Sequence, residues 1–186
     1  MAVRGFKSWC EKIAEKYRAR LKVEKHLPLC PWTLAKHLKI VVWYADAIPG
    51  LPANSLKQLI DKGSDEWSAV TMVWGKHSLV ILNPSASKAR QASDLMHELA
   101  HIIMGHKPAR VDITTDGMLL LHLYDPEQEE EADLLSACLL LPRDALVHIK
   151  ENKLSNKDAQ ALYGVSQEML NYRINITGVA KQFKGR

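Results

Sequence analysis

His97, Glu98 and His101 are the residues of this chain whose types and spacing could do chemistry. They sit in His97-Glu98-Leu99-Ala100-His101, an H-E-x-x-H pattern. On a helix, residues four apart share one face, so the two imidazoles can point the same way and hold one zinc ion. Glu98, one residue on from the first histidine, can take a proton from an attacking water and serve as general base. Leu95, Met96, Leu99, Ala100, Ile102, Ile103 and Met104 surround the motif, and nothing breaks the helix before Gly105.

A catalytic zinc needs a third protein ligand. The long metzincin signature would put a glycine at 104 and a histidine at 107, but the chain has Met104 and Lys107, so the signature fails. His106 then reads as a helix-end residue. The acidic cluster Glu127, Glu129, Glu130 and Glu131 is the remaining source of a ligand. Sites of this type often take a glutamate from a second helix packed on the first. Glu129 and Asp133 are four apart in an E-x-x-A-D pattern, so the first can bind metal while the second accepts a hydrogen bond from a ligand histidine. That spacing selects Glu129, with Glu130 and Glu131 open as alternatives.

These residues need elements to position them. Val70–Trp74 and Leu79–Leu82 are apolar runs around Gly75-Lys76-His77-Ser78, which reads as a hairpin. It feeds into the motif helix, which Ser85 or Ser87 can cap. A strand there could hold an extended peptide across the metal by adding it to the sheet edge. A second helix runs from Asp125-Pro126 to Leu141, acidic in its first turns and apolar on more than one side later, as a core helix should be. Between the two helices, short β-like runs flank Thr114-Thr115-Asp116-Gly117. Upstream, Phe6, Trp9, Ile13 and Tyr17 (or Leu21) repeat at helical spacing over residues 6–21, an aromatic stripe expected to pack on the core. A short helix over Thr33–Leu38, a strand over Ile40–Tyr44 and a short helix with a polar turn over 53–66 complete the first half. His122 and Tyr124 are candidates for an oxyanion donor, although plain strand residues are the simpler reading.

Near the C-terminus, 157–163, Gly164-Val165-Ser166 and 167–174 read as helix, tight turn, helix. Gln167, Asn171 and Arg173 could face a DNA major groove. The second helix carries few basic residues and supplies phosphate contacts poorly, so two helices covering the core or meeting a protein partner are expected instead.

Composition sets the class. With 47% hydrophobic and 25% charged residues, the 186-residue chain has the balance of a globular domain with a real core. Three scattered cysteines, Cys10, Cys30 and Cys138, form no C-x-x-C pair, which argues against a disulfide framework or a cysteine zinc site and suits a reducing cytosol. No apolar leader and no membrane-length run is apparent, so a cytoplasmic location is expected. The net charge of +4 lies mostly at the two ends and demands no acidic partner.

The motif helix with Ile102 to His106, the Glu129-Glu130-Glu131-Ala132-Asp133 cluster and the apolar run ending Leu140-Leu141-Pro142 together resemble the ImmA/IrrE family of zinc metallo-endopeptidases. Residues 34–42, Leu79–Asn83 and 159–174 extend the resemblance over about residues 30–178. Asp133 stands where the family often has Asn and serves the same purpose. The resemblance implies an α+β zincin-like domain with a small twisted sheet, an active-site helix and helical N- and C-terminal extensions. The expected divisions are an amphipathic helix in 1–30, the peptidase domain in 31–142 and a helical extension in 143–186. It also implies one catalytic zinc on His97, His101 and Glu129, and cleavage of a partner repressor of the Cro/CI type that relieves repression. A non-enzymatic DNA- or repressor-binding regulator and the protease of a toxin–antitoxin pair are the rival functions.

Overall fold

The computed structural model of the chain describes residues 5–50, 54, 57, 67–74, 77–106, 110–113, 119–122 and 125–183. Its centre is a pair of long helices, α3 (Lys88–Met104) and α4 (Pro126–Leu140). Each begins where its sequence says it should. Ser87 accepts a hydrogen bond from Arg90 N at 3.2 Å, which satisfies one of the orphan N–H groups of α3. Asp125 accepts one from Glu127 N at 3.0 Å, and Pro126, which has no N–H to waste, takes the first position of α4. Gly105 ends α3 in the left-handed region, at φ 70°. A caps-and-glycine frame of this kind is worth roughly 1 kcal/mol per end.

The rest of the fold packs around that pair. α1 (Phe6–Arg20) lies on α4, while α2 (Pro31–His37) lies on α3. A three-stranded sheet also rests on α3. It is built from β1 (Val41–Tyr44), β2 (Ala69–Trp74) and β3 (His77–Leu82) in the order β1-β3-β2. β3 pairs with β1 in parallel and with β2 antiparallel, so among the described residues β2 is an edge. The register puts Thr71, Val80 and Val42 in one row. Val80 and Leu82 are fully buried, which identifies this as the core face. Val41 and Met72 lie in the opposite row beside Leu79, and both are exposed.

The hairpin before α3 is therefore present as the apolar runs predict. β4 (Arg110–Ile113) and β5 (Leu119–His122) form a separate antiparallel pair, with Arg110 opposite His122. The turn between them lies outside the described residues, as does the expected helix and polar turn over 53–66 apart from Asn54 and Lys57. After α4 the chain runs through α5 (Arg143–Glu151), α6 (Asn156–Tyr163), α7 (Gln167–Thr177) and a final turn, α8 (Val179–Gln182). No helix among the described residues is long and apolar enough to cross a membrane.

One expectation needs correction, at Trp9 of α1. In α1 Cys10, Ala14, Tyr17 and Arg18 are buried; of the expected stripe, Tyr17 sits in the core with Phe6, Ile13 and Leu21 packed against it, and Trp9 is the member left exposed. Phe6 and Trp9 stack on each other at 5.5 Å at the start of the helix, and Trp9 is 40% exposed. Near the C-terminus, Arg173, the groove-facing residue of the disfavoured helix-turn-helix alternative, is turned into the core. It is buried, donating from Nε to Leu141 O at 2.8 Å and from Nη2 to Glu11. Gln167 is bonded to Asn171 at 2.9 Å, so these two amides pair with each other along α7. Cys10 and Cys138 are free buried thiols. The hydrogen bond to Cys10 and then burial push the Cys138 thiol well above its usual range.

Candidate metal centre

α3 presents its polar face toward the acidic half of α4. Leu95, Met96, Leu99 and Ala100 are buried, which fixes the rotation of the helix. His97 and His101 are then left half-buried on the adjoining face. Their Nε2 atoms are 3.0 Å apart. Glu129 meets both, with Oε2 at 3.1 Å from His97 Nε2 and Oε1 at 3.5 Å from His101 Nε2. One donor atom from each of the three residues lies within 4.8 Å of the other two, which is the only such group of three or more among the described residues. Two imidazoles and one carboxylate are the donor chemistry of a catalytic divalent-metal site that leaves a position open. The chain's residues fit such an ion.

The competing glutamates point elsewhere. Glu131 Oε2 lies 3.2 Å from His106 Nε2, and Glu130 is exposed. Glu127, in the first turn, is also exposed. Asp133 meets His97 on the far side of the ring, Nδ1 to Oδ1 at 3.0 Å. This contact fixes the His97 tautomer with Nδ1 protonated and Nε2 turned inward.

Glu98 reaches the sheet beside this site, where it accepts a hydrogen bond from Thr71 Oγ1 of β2. Burial pushes its carboxyl above the usual range, and the Thr71 bond only partly offsets this. A raised carboxyl brings the group nearer to neutrality as a proton acceptor, which suits general-base work. Burial alone would lower His97, but the hydrogen bond and charge of Asp133, with Glu98 and Glu129, win and hold it above the usual value. His101 is pushed down, first by burial and then by the neighbouring His97 charge. Two ring nitrogens 3.0 Å apart need one hydrogen between them.

Two functional contacts were missed from sequence. Strand spacing alone makes Thr71 just one residue of a β-run, although a lone threonine on its core-facing row is a visible signal. His106, a helix-end residue by spacing, meets both His101 and Glu131. Of the oxyanion candidates, Tyr124 and the side chain of His122 lie outside the described residues.

An H-E-x-x-H helix beside a glutamate helix, with an edge strand touching the glutamate of the motif, defines a metallopeptidase-type arrangement. The profile of one protein family, described as the IrrE N-terminal-like domain and classed as a peptidase, matches residues 36–175. The chain belongs to this ImmA/IrrE family of metallopeptidases. No curated protein matches it significantly.

Proposed function

We propose that the protein is a zinc-dependent endopeptidase in which His97, His101 and Glu129 hold the metal and Glu98 is the general base. The observation that carries this reading is the convergence of those three donors on the helix that carries the half-buried Glu98. Zinc bound there would polarise the scissile carbonyl and make water a better nucleophile at neutral pH. Glu98 accepts the proton of the attacking water and returns it to the leaving amine as the C–N bond breaks. Thr71 holds the Glu98 carboxylate toward β2. Among the described residues β2 has no neighbour on its outer edge, so an extended peptide can pair there and run past Glu98.

Such a substrate is a protein segment able to become extended. A transcriptional repressor of the Cro/CI type is the partner proposed here, on the family resemblance, with relief of repression as the outcome. A cytoplasmic site of action follows from that partner. The test is purified protein with zinc added back and a candidate repressor. Wild type is expected to hold about one zinc and cut the repressor. Glu98→Gln is expected to hold the same zinc and lose roughly 10²- to 10⁴-fold in cleavage rate. Cleavage by Glu98→Gln at the wild-type rate would sink the general-base assignment. A wild type that takes up no zinc would sink the metal reading.

A further inference from the structure

His106 is a residue that the reaction proposed above does not use. It follows Gly105, whose left-handed conformation turns the chain back on the end of α3. Gly105 N donates to Ile102 O at 3.2 Å and His106 N donates to His101 O at 3.0 Å. This is the paired pattern of a Schellman ending, in which the second residue past the helix usually makes an apolar contact with the residue whose carbonyl it caps. Here both residues are histidines. The backbone bond to the His101 carbonyl brings the His106 ring against the His101 ring, with Nδ1 to Nδ1 at 3.0 Å. On its other side, His106 Nε2 is 3.2 Å from Glu131 Oε2. The His106 side chain is only 9% exposed, so water competes little for either contact. A groove of about 440 Å³, walled partly by Phe6, Trp9, Ile103 and Met104, lies over this pair.

The hydrogens along this row can be assigned in one consistent way. The Glu131 carboxylate can only accept, so His106 Nε2 carries a hydrogen and donates to it. A neutral His106 then has a bare Nδ1, which accepts from His101 Nδ1–H. A neutral His101 with its hydrogen on Nδ1 has a bare Nε2, and that is the atom facing Glu129 and His97.

We infer that His106 is a positioning residue for the metal site: the chain Glu131–His106–His101 holds the His101 ring in place and keeps its Nε2 lone pair free for the metal. This rests on the metal reading above. His97 has the same service from a single group, Asp133 at 3.0 Å. The two ligand histidines are thus oriented by two different devices drawn from the same acidic helix. Partners of this kind are worth about 10- to 100-fold in metal affinity.

The experiment compares His106→Gln, His106→Asn and Glu131→Gln in the full chain, by zinc competition against a chelator and by ¹⁵N-imidazole NMR of the metal-free protein. The amide oxygen of an asparagine can sit where His106 Nδ1 is and still accept from His101, whereas a glutamine side chain places its amide where Nε2 is and loses that acceptor. His106→Gln is expected to bind zinc about 10- to 100-fold more weakly and to lose the Nδ1–H form of His101 as the dominant tautomer. His106→Asn is expected to restore most of both. Glu131→Gln, which leaves the helix-ending histidine in place, is expected to move both readouts in the same direction by less. A wild type that binds zinc, with His106→Gln unchanged in affinity and tautomer, overturns this inference alone. A wild type that binds no zinc overturns the metal reading and this inference with it.

Discussion

α4 has two ends that handle charge in opposite ways. At its N-terminal end, Glu129, Glu131 and Asp133 face α3 and stay partly open to solvent. At its C-terminal end two arginines are sealed inside the protein. Arg18 of α1 donates to Leu139 O at 2.8 Å and to Leu27 O at 3.2 Å, and Arg173 of α7 donates to Leu141 O at 2.8 Å. Both arginines thus satisfy carbonyls that the helix end leaves without partners. Burial lowers Arg18 to about 10, still charged at neutral pH. Glu11 joins the cluster, accepting from Arg173 and from Arg143 N at 3.0 Å, which ties α1 to the start of α5. One end keeps its charges accessible, ready for an ion or substrate. The other consumes its charges in fixed contacts, and these lock α1, α4 and α7 together.

The comparison predicts that stability and metal binding separate along a single helix. The largest effect should come from Arg173→Leu. It removes the donor of the Leu141 carbonyl and one of the two donors to the Glu11 carboxylate, at a cost of about 3–5 kcal/mol and a fall in Tm on the order of 10 °C for a chain of this size. Thermal unfolding of the metal-free protein measures it; an unchanged Tm would show that the buried pair contributes nothing net. Next comes Glu129→Ala. It should abolish stoichiometric zinc binding by elemental analysis while changing metal-free stability by less than about 1 kcal/mol, because the carboxylate is partly solvated. Retained zinc would move the ligand to another carboxylate and blur the contrast between the two ends.

A smaller effect is expected at Asp133. Asp133→Ala should weaken zinc by about 10- to 100-fold without abolishing it, since it orients His97 and does not touch the metal. Chelator competition separates this from the Glu129 result. The pH dependence sharpens the picture further. Because His97 is held above its usual value, a proton competes with zinc up to a higher pH than for an ordinary histidine. Zinc affinity should therefore fall as pH drops through the raised His97 value, by about tenfold per unit. Removing Asp133 should move the onset of that fall to lower pH. Titrating affinity against pH in the wild type and in Asp133→Ala checks the sign.

What could be read before any coordinates was what depends on local spacing. The i, i+4 histidines, the glutamate between them, a serine cap at Ser85 or Ser87, the helix start at Asp125-Pro126, the hairpin before α3 and the Glu129–Asp133 pairing all lie within a few residues of chain. One helical turn or one strand alternation governs each. The sequence also narrowed the glutamates to Glu129 by that rule, and the fold brings the same residue to the two histidines.

Tertiary structure decided the rest. Arg18 and Arg173 look like surface residues, because a lone guanidinium is rarely buried. Only the meeting of α1, α4 and α7 supplies the carbonyls and the carboxylate that make burial affordable. The same reason explains Thr71, whose partner Glu98 is 27 residues away, and Glu131, whose partner His106 is 25 residues away. Residue type and spacing tell which side chains could do chemistry. Which of them meet depends on how α3, α4 and the sheet pack, and that is set by buried apolar surface distributed over the whole chain.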